Sequence, residues 1–244
     1  MTSLKQNLPY QTSVASAAVT PPIISAVLRN PTQFFEEIRQ GSNITHKILR
    51  LFLVSITFLG IYGAILGSGH ALQSLSAAIK LPLIFIGGLV ACTPALYIFD
   101  ILLGSERSLS QTIAVLLTAV SVISILLFGF VPITIVFRLT VNGFQFFKLL
   151  NVAFLIIAVL VGAVYLERGL RLTLAPNQRD SLWRDSLYIL WIFVFIFVIS
   201  QMAWGLRPFF HFPGSSFMWL VGGSNLITDF FQAAGEFMGF WVVR

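Results

Sequence analysis

Charge is scarce in this chain of 244 residues: only 10% of them are Asp, Glu, Lys or Arg, against about 25% in ordinary soluble domains. That scarcity excludes a water-solvated globular surface. There is one cysteine, Cys92, within a hydrophobic run, so neither an internal disulfide nor a thiol-rich metal site can be built. The three histidines, His46, His70 and His211, fall in flanks and loops. Axial ligation of a haem or chlorophyll from mid-span is therefore not offered by histidine. No HExxH, phosphate-binding loop, Ser/His/Asp set or pair of close carboxylates is present. No catalytic residue, metal ligand or cofactor is predicted, and the chain reads as non-enzymatic.

What is abundant is apolar: 57% hydrophobic residues and a mean hydropathy of +0.90. The net charge of +6 comes from basic residues scattered between hydrophobic runs, which form no stripe that could track phosphates, so no nucleic-acid partner is expected. Those charges suit topology and anionic headgroups, and bound phospholipid is expected. The run 186–204 holds no formal charge and is long enough to cross roughly 30 Å of hydrocarbon. Trp183, Tyr188 and Trp204 near its ends suit the headgroup level.

The remaining runs predict an all-α integral membrane protein with five spans at about 48–67, 81–99, 112–131, 149–166 and 186–204. Residues 1–20 read as a mobile tail and 21–46 as cytoplasmic amphipathic helices. The domain 47–206 carries the spans, and 207–244 forms an external aromatic-rich tail. The first hydrophobic run begins near Ile48, so the first span is expected to be an uncleaved anchor. Ten of the fifteen Lys and Arg residues fall on the side of the N-terminus, which predicts N-in, C-out. Leu81-Pro82 is expected to open the second span after an external linker at 68–80. Pro94 should kink that span, satisfied by Thr93 or by a neighbouring helix, and Pro132 should end the third. Asn142-Gly143 predicts a turn before the fourth. Asp100 falls at a cytoplasmic end, followed by a tight polar turn of Gly104, Ser105, Glu106 and Arg107.

Amphipathic elements are predicted at both ends. Near the N-terminus, Phe34, Phe35 and Ile38 oppose Glu36, Glu37 and Arg39, which suits a helix lying on the cytoplasmic membrane face or binding a partner. Near the C-terminus, Phe230, Phe231 and Trp241 oppose Asp229, Gln232 and Glu236, an interfacial helix with a sixth span as the alternative. Arg207 is expected to contact lipid phosphate or to pin the tail by pairing with Asp229 or Glu236. Small residues recur four apart: Gly60/Ala64, Gly63/Gly67, Gly87/Ala91/Ala95 and Ala158/Gly162. In lipid such spacing lets helices approach closely, within one chain or between two. Apart from Arg50 at the start of the first, the spans hold no ionisable residue, which disfavours proton-coupled transport. Asn43-Ile44-Thr45 matches a glycosylation acceptor, but on the cytoplasmic side the match is chance.

With the spans placed, the chain resembles the Ypt-interacting-protein (YIP) superfamily and, more closely, bacterial membrane proteins related to it. The resemblance covers roughly 30–212. It rests on NPTQFFEEIRQ before the first span, AAIKLPLIFI opening the second, LLGSERSLSQTIAVLLTA joining the second and third, and LNVAFLIIAVLVGAVYLERGLR in the fourth. MAWGLRPFF is similar to a feature of the bacterial members. The resemblance implies five helices, a cytoplasmic N-terminus and a trafficking or membrane-shaping role without catalysis. The chain departs from the family in its long C-terminal extension. The expected function is thus a scaffold or assembly factor for other membrane proteins in a bacterial-type inner membrane. The alternative is a small channel or lipid or solute carrier with Pro94, Asn151 and Gln201 near its pathway.

Overall fold

The computed structural model describes residues 23–140, 144–174 and 182–206. All regular structure among them is helical: α1 (Ile23–Arg29), α2 (Pro31–Arg39), α3 (Ile44–Leu66), α4 (Ala71–Leu102), α5 (Leu109–Thr140), α6 (Phe144–Leu172) and α7 (Leu182–Gly205). The last five are long and apolar enough to cross a membrane, the architecture of an integral membrane protein. The predicted turn at Asn142-Gly143 and the residues of 207–244 lie outside the described residues.

Two of the connections follow from local chemistry. After α2 the Gly41 N–H bonds the Ile38 carbonyl and the Ser42 N–H bonds the Glu37 carbonyl, the paired bonds of a Schellman cap. Gly41 takes the left-handed φ of +71° that this cap requires. After α4 the same pattern recurs, from Gly104 to Ile101 and from Ser105 to Asp100, with Gly104 at φ +75°. The start of α5 is a capping box: the Ser108 N–H bonds Gln111 Oε1 at 2.7 Å, and the Gln111 N–H bonds Ser108 Oγ at 3.3 Å.

Helix α5 is the central rod, touching α2, α3, α4 and α6. Its buried residues, from Thr112 through Leu127, leave no lipid-facing stripe in that stretch. Helix α7 packs mainly on α4 and more lightly on α6. It leaves Leu190, Phe193 and Phe197 exposed, as the lipid-facing side of an outer helix requires. Buried hydroxyls in α5 spend themselves on their own helix, as when Thr118 Oγ1 bonds the Ala114 carbonyl at 2.7 Å. Ser55 and Ser121 meet at 2.9 Å and both reach the Leu51 carbonyl, joining α3 to α5.

Three predicted boundaries are corrected. Helix α4 starts at Ala71, not Leu81, capped by His70, whose Nδ1 accepts from the Leu72 N–H; most of the expected linker 68–80 is helix. Pro132 does not end α5, which continues to Thr140. Helix α6 runs to Leu172, six residues past its predicted end. A proline removes one backbone bond, but ending the helix in lipid would orphan several polar groups, so the helix continues. Pro94 likewise lies inside an unbroken α4, and the Thr93 hydroxyl bonds the Leu89 carbonyl at 2.6 Å in the same stretch.

Helix α2 is corrected in position. Its apolar face does not lie on lipid: Phe34, Phe35 and Ile38 are buried against the bundle, where α2 touches α5 and α6. Phe35 fills the notch left by Gly169, whose missing Cβ would stand 2.6 Å from the Phe35 ring and 2.9 Å from Val115. Gln111 Nε2 bonds the Arg39 carbonyl at 2.7 Å, and Lys47 pairs with Glu37 at 2.8 Å. The helix is thereby fastened to both α5 and α3.

Candidate functional site

The ends of α4, α6 and α7 that lie on the side of α2 converge on a buried ion pair. Asp100 lies in the last turn of α4, just before the Gly104 turn reverses the chain, and that reversal brings Arg107 back over it. Arg107 Nη1 lies 2.9 Å from Asp100 Oδ2, with both side chains essentially inaccessible. The Tyr188 hydroxyl of α7 donates to Asp100 Oδ1 at 2.8 Å. Arg107 Nη2 donates to the Leu170 carbonyl near the end of α6, and Arg184 of α7 donates to the Leu103 carbonyl at the end of α4. Both arginines thus place positive charge at helix C-termini, where the macrodipole favours it.

This knot joins three helices and one turn through charge-assisted bonds in a region of low dielectric. Its aspartate is held by two donors and its arginine by a carboxylate and a carbonyl. The sequence showed Asp100 and Arg107 but not their union, and it placed Tyr188 at the headgroup level rather than on a buried carboxylate. The Gly at the C′ position and the Ser-x-x-Gln box were signals that could have revealed the turn. Tyr188, 88 residues from Asp100, left none.

At the opposite end a neutral cluster does similar work. Asn151 Oδ1 accepts from Tyr62 at 2.9 Å and from Thr134 at 3.3 Å, while its Nδ2 donates to the Phe147 carbonyl at 2.8 Å. Asn151 is therefore committed to binding α3, α5 and α6 together. Gln201 and Pro94 are exposed on α7 and α4. The three residues expected near a pathway are not gathered at one place.

The small-residue positions divide. Gly63 and Gly67 lie directly against α4: a Cβ on Gly67 would stand 2.5 Å from the Gln73 carbonyl oxygen, and one on Gly63 would overlap the Ala77 carbonyl. Gly60 is looser, at 3.6 Å from the Ala78 carbonyl, and the Ala64 carbonyl accepts the Ser74 hydroxyl at 2.7 Å. Gly162 takes the Ile123 side chain, with Ala158 fully buried on the same helix. Gly87 faces the Met202 methyl of α7. Ala91 and Ala95 are exposed and serve no helix contact of this kind. We expect Ala91→Leu and Ala95→Leu to change the melting temperature negligibly, within the roughly ±0.5 kcal/mol usual for surface changes; a loss of 2 kcal/mol or more at either would show a covered face. The tail-pin residues Arg207, Asp229 and Glu236, and the aromatic residues Phe230, Phe231 and Trp241, lie outside the described residues.

Two concavities flank α2. One of about 590 Å³ is lined by Arg29, Asn30, Thr32, Gln33 and Glu36 with Leu172 of α6. The other, about 350 Å³, lies between α2 and α3, with Gln33, Glu37, Asn43, His46, Lys47 and Arg50 among its lining. No group of three or more His, Cys, Asp or Glu side chains able to hold a metal occurs among the described residues. The chain matches no protein-family model, no curated protein and no solved structure.

Proposed function

We propose that this chain is a non-enzymatic scaffold of a bacterial-type inner membrane, oriented N-in and C-out, that organises or helps assemble other membrane proteins and binds phospholipid. The observation that carries this reading is the docked α2. An amphipathic helix that only anchored the chain would turn its apolar face to lipid. This one spends that face on its own bundle and holds its polar side, with the two concavities, in a fixed position at the membrane surface. A rigid, polar, recessed platform suits recognition of a polar segment of another membrane protein. Ser55, Ser121, Asn151, Asp100 and Arg107 within the bundle are occupied in fastening helices together, as a scaffold needs. The likeness to the YIP superfamily agrees with a role without catalysis.

The sidedness rests on charge. Of the eleven Lys and Arg residues described, eight (Arg29, Arg39, Lys47, Arg50, Arg107, Arg168, Arg171 and Arg184) lie at the α2 end and three (Lys80, Arg138 and Lys148) at the other. The positive-inside rule puts the α2 end in the cytoplasm. In a Cys92→Ala background, Ser68→Cys should label from outside intact cells, and Gln33→Cys only after permeabilisation; the reverse pattern refutes the orientation. The function is tested by a photo-crosslinking residue at Thr32, exposed on α2. A discrete adduct with one or a few membrane proteins is expected, and none from the same residue placed at the lipid-facing Phe193. Failure to form any adduct, together with migration as a protein monomer in mild detergent, would overturn the scaffold reading.

A further inference from the structure

The concavity between α2 and α3 has two kinds of wall. Ile23, Ala26 and Phe34 make one side apolar, while His46, Lys47 and Arg50 of α3 make the other basic. Its volume of about 350 Å³ falls within the roughly 300–1,000 Å³ of small-molecule sites. The single acid of the lining, Glu37, is taken on both oxygens. Its Oε1 accepts from Gln33 Nε2 at 3.3 Å, and its Oε2 pairs with Lys47 Nζ at 2.8 Å. Lys47 Nζ also lies 5.5 Å from the Phe34 ring centroid, so this ammonium is held in place from two sides. Arg50 and His46 are exposed, and their side chains make no hydrogen bond or ion pair with a described residue. The lining thus keeps one uncompensated positive charge, and a second whenever His46 is protonated. In the larger concavity the one basic residue, Arg29, shares the lining with Glu36, and the formal charges cancel.

His46 and Arg50 stand where a headgroup would meet them. They are four residues apart and share a face of α3. Leu49 and Leu53, three and seven residues after His46, carry that face into the span. Both are exposed, at 54% and 55%, as lipid-facing side chains are. Side chains on a helix lean toward its N-terminus, so Arg50 reaches back to the cavity while the leucines follow it into the hydrocarbon. The rim adds to the positive potential: Asn43, in the left-handed region, lines the cavity, and no side chain caps the first turn of α3, an end that favours negative charge.

We propose that this concavity binds the phosphate headgroup of an anionic phospholipid, held by Arg50 and His46, with one acyl chain laid along Leu49 and Leu53. The site rests on the phospholipid binding proposed above and gives it a place and a lipid class. An arginine fork meets phosphate oxygens bidentately, and basic pockets at the cytoplasmic ends of spans attract anionic headgroups. A zwitterionic lipid brings an ammonium as well, which needs a carboxylate, and Glu37 is already occupied. The leucine face distinguishes a lipid from a soluble phosphate, which has nothing to lay there. The larger concavity, with Thr32, is left for a protein partner.

The test uses the full chain, freed of lipid in mild detergent and titrated with phosphatidylglycerol or phosphatidylcholine, with bound lipid read by native mass spectrometry. The parent should bind its first phosphatidylglycerol at least about fivefold more tightly than phosphatidylcholine, the factor that one basic residue contributes near an anionic surface. Arg50→Glu should abolish the preference and Arg50→Lys should keep part of it. Arg168→Glu, which reverses an exposed charge at the same end of α6, should leave it unchanged. Inorganic phosphate in large excess should not displace the lipid. Arg50 has no partner to lose, so Arg50→Glu should melt with the parent in the absence of lipid; should it fail to fold, Arg50→Gln combined with His46→Gln makes the same test. Equal affinity for the two lipids, an equal loss in Arg168→Glu, or displacement by inorganic phosphate overturns this site while phospholipid binding stands. Binding of neither lipid overturns both, and the purified chain holds no protein partner whose absence could produce that result.

Discussion

Arg107→Ala is expected to lower the thermal stability of the purified protein severely, by roughly 3–5 kcal/mol, the range for removing one partner of a buried ion pair. The reason is the state in which it leaves Asp100. That carboxylate is inaccessible, and its remaining donor is the Tyr188 hydroxyl at 2.8 Å. The Leu170 carbonyl loses its charged donor as well, keeping only the long bond from the Thr173 hydroxyl at 3.4 Å. Asp100→Ala strands the guanidinium in the same way. A double change, Asp100→Leu with Arg107→Met, removes both charges and fills similar volume, so it should cost clearly less than the sum of the two single changes. Tyr188→Phe removes one bond while the charges stay paired, and about 1.5–3 kcal/mol is the scale for a hydrogen bond to a charged group. A double-mutant cycle on thermal melting in one detergent measures the coupling. Additive single and double effects would show that the pair does not hold the bundle.

Gly67→Val and Gly63→Val are expected to be the most disruptive apolar substitutions, lowering stability by at least the 1–3 kcal/mol typical of overpacking. What a new Cβ would strike at both sites is α4 backbone, which cannot rotate aside as a side chain can. Helices α3 and α4 must separate, and the Ser74 bond to the Ala64 carbonyl, with Gly67 only three residues beyond, goes with them. Gly129→Ala is the internal comparison, since nothing lies within 4 Å of a Cβ there. It should be neutral or stabilising, by up to about 1 kcal/mol of helix propensity. Equal melting temperatures for Gly67→Val and the parent would show that the α3–α4 approach is not as close as described.

The five spans were readable from hydropathy because each holds a charge-free window as long as the bilayer core is thick. Their ends were not. Pro82 and Pro132 were taken as boundaries, a rule that holds in water, where a freed carbonyl finds a solvent partner. In lipid it finds none, and the helices run through. Lys80 pointed to a linker because a lone lysine normally marks a loop, whereas here it is buried on a helix. Spacing of small residues found Gly63, Gly67 and Gly162 but also Ala91 and Ala95, since a four-residue repeat defines a face without saying whether another helix lies along it. The amphipathic pattern of Phe34, Phe35 and Ile38 gave the helix but not its position. Lipid and protein satisfy an apolar face alike, and Gly169, the notch for Phe35, is 134 residues away. The union of Asp100 with Tyr188 depends on the same kind of distant meeting.

Helices α4 and α5 each contain 32 residues, about 48 Å of helix, whereas the hydrocarbon core is roughly 30 Å thick. Tilting alone would require an inclination of about 50°, beyond the 0–40° seen for membrane helices. The central hairpin must therefore project past the core, and the apolar side chains near the end of α5, Val136 and Leu139 at 58% and 81% exposure, mark where it does. Of the two helices only α5 is free of charge well beyond the length of an average core, from Leu109 to Phe137, whereas the charge-free part of α4 ends at Lys80 and Asp100; the excess of α5 is met by tilt or by local thickening of the bilayer around it.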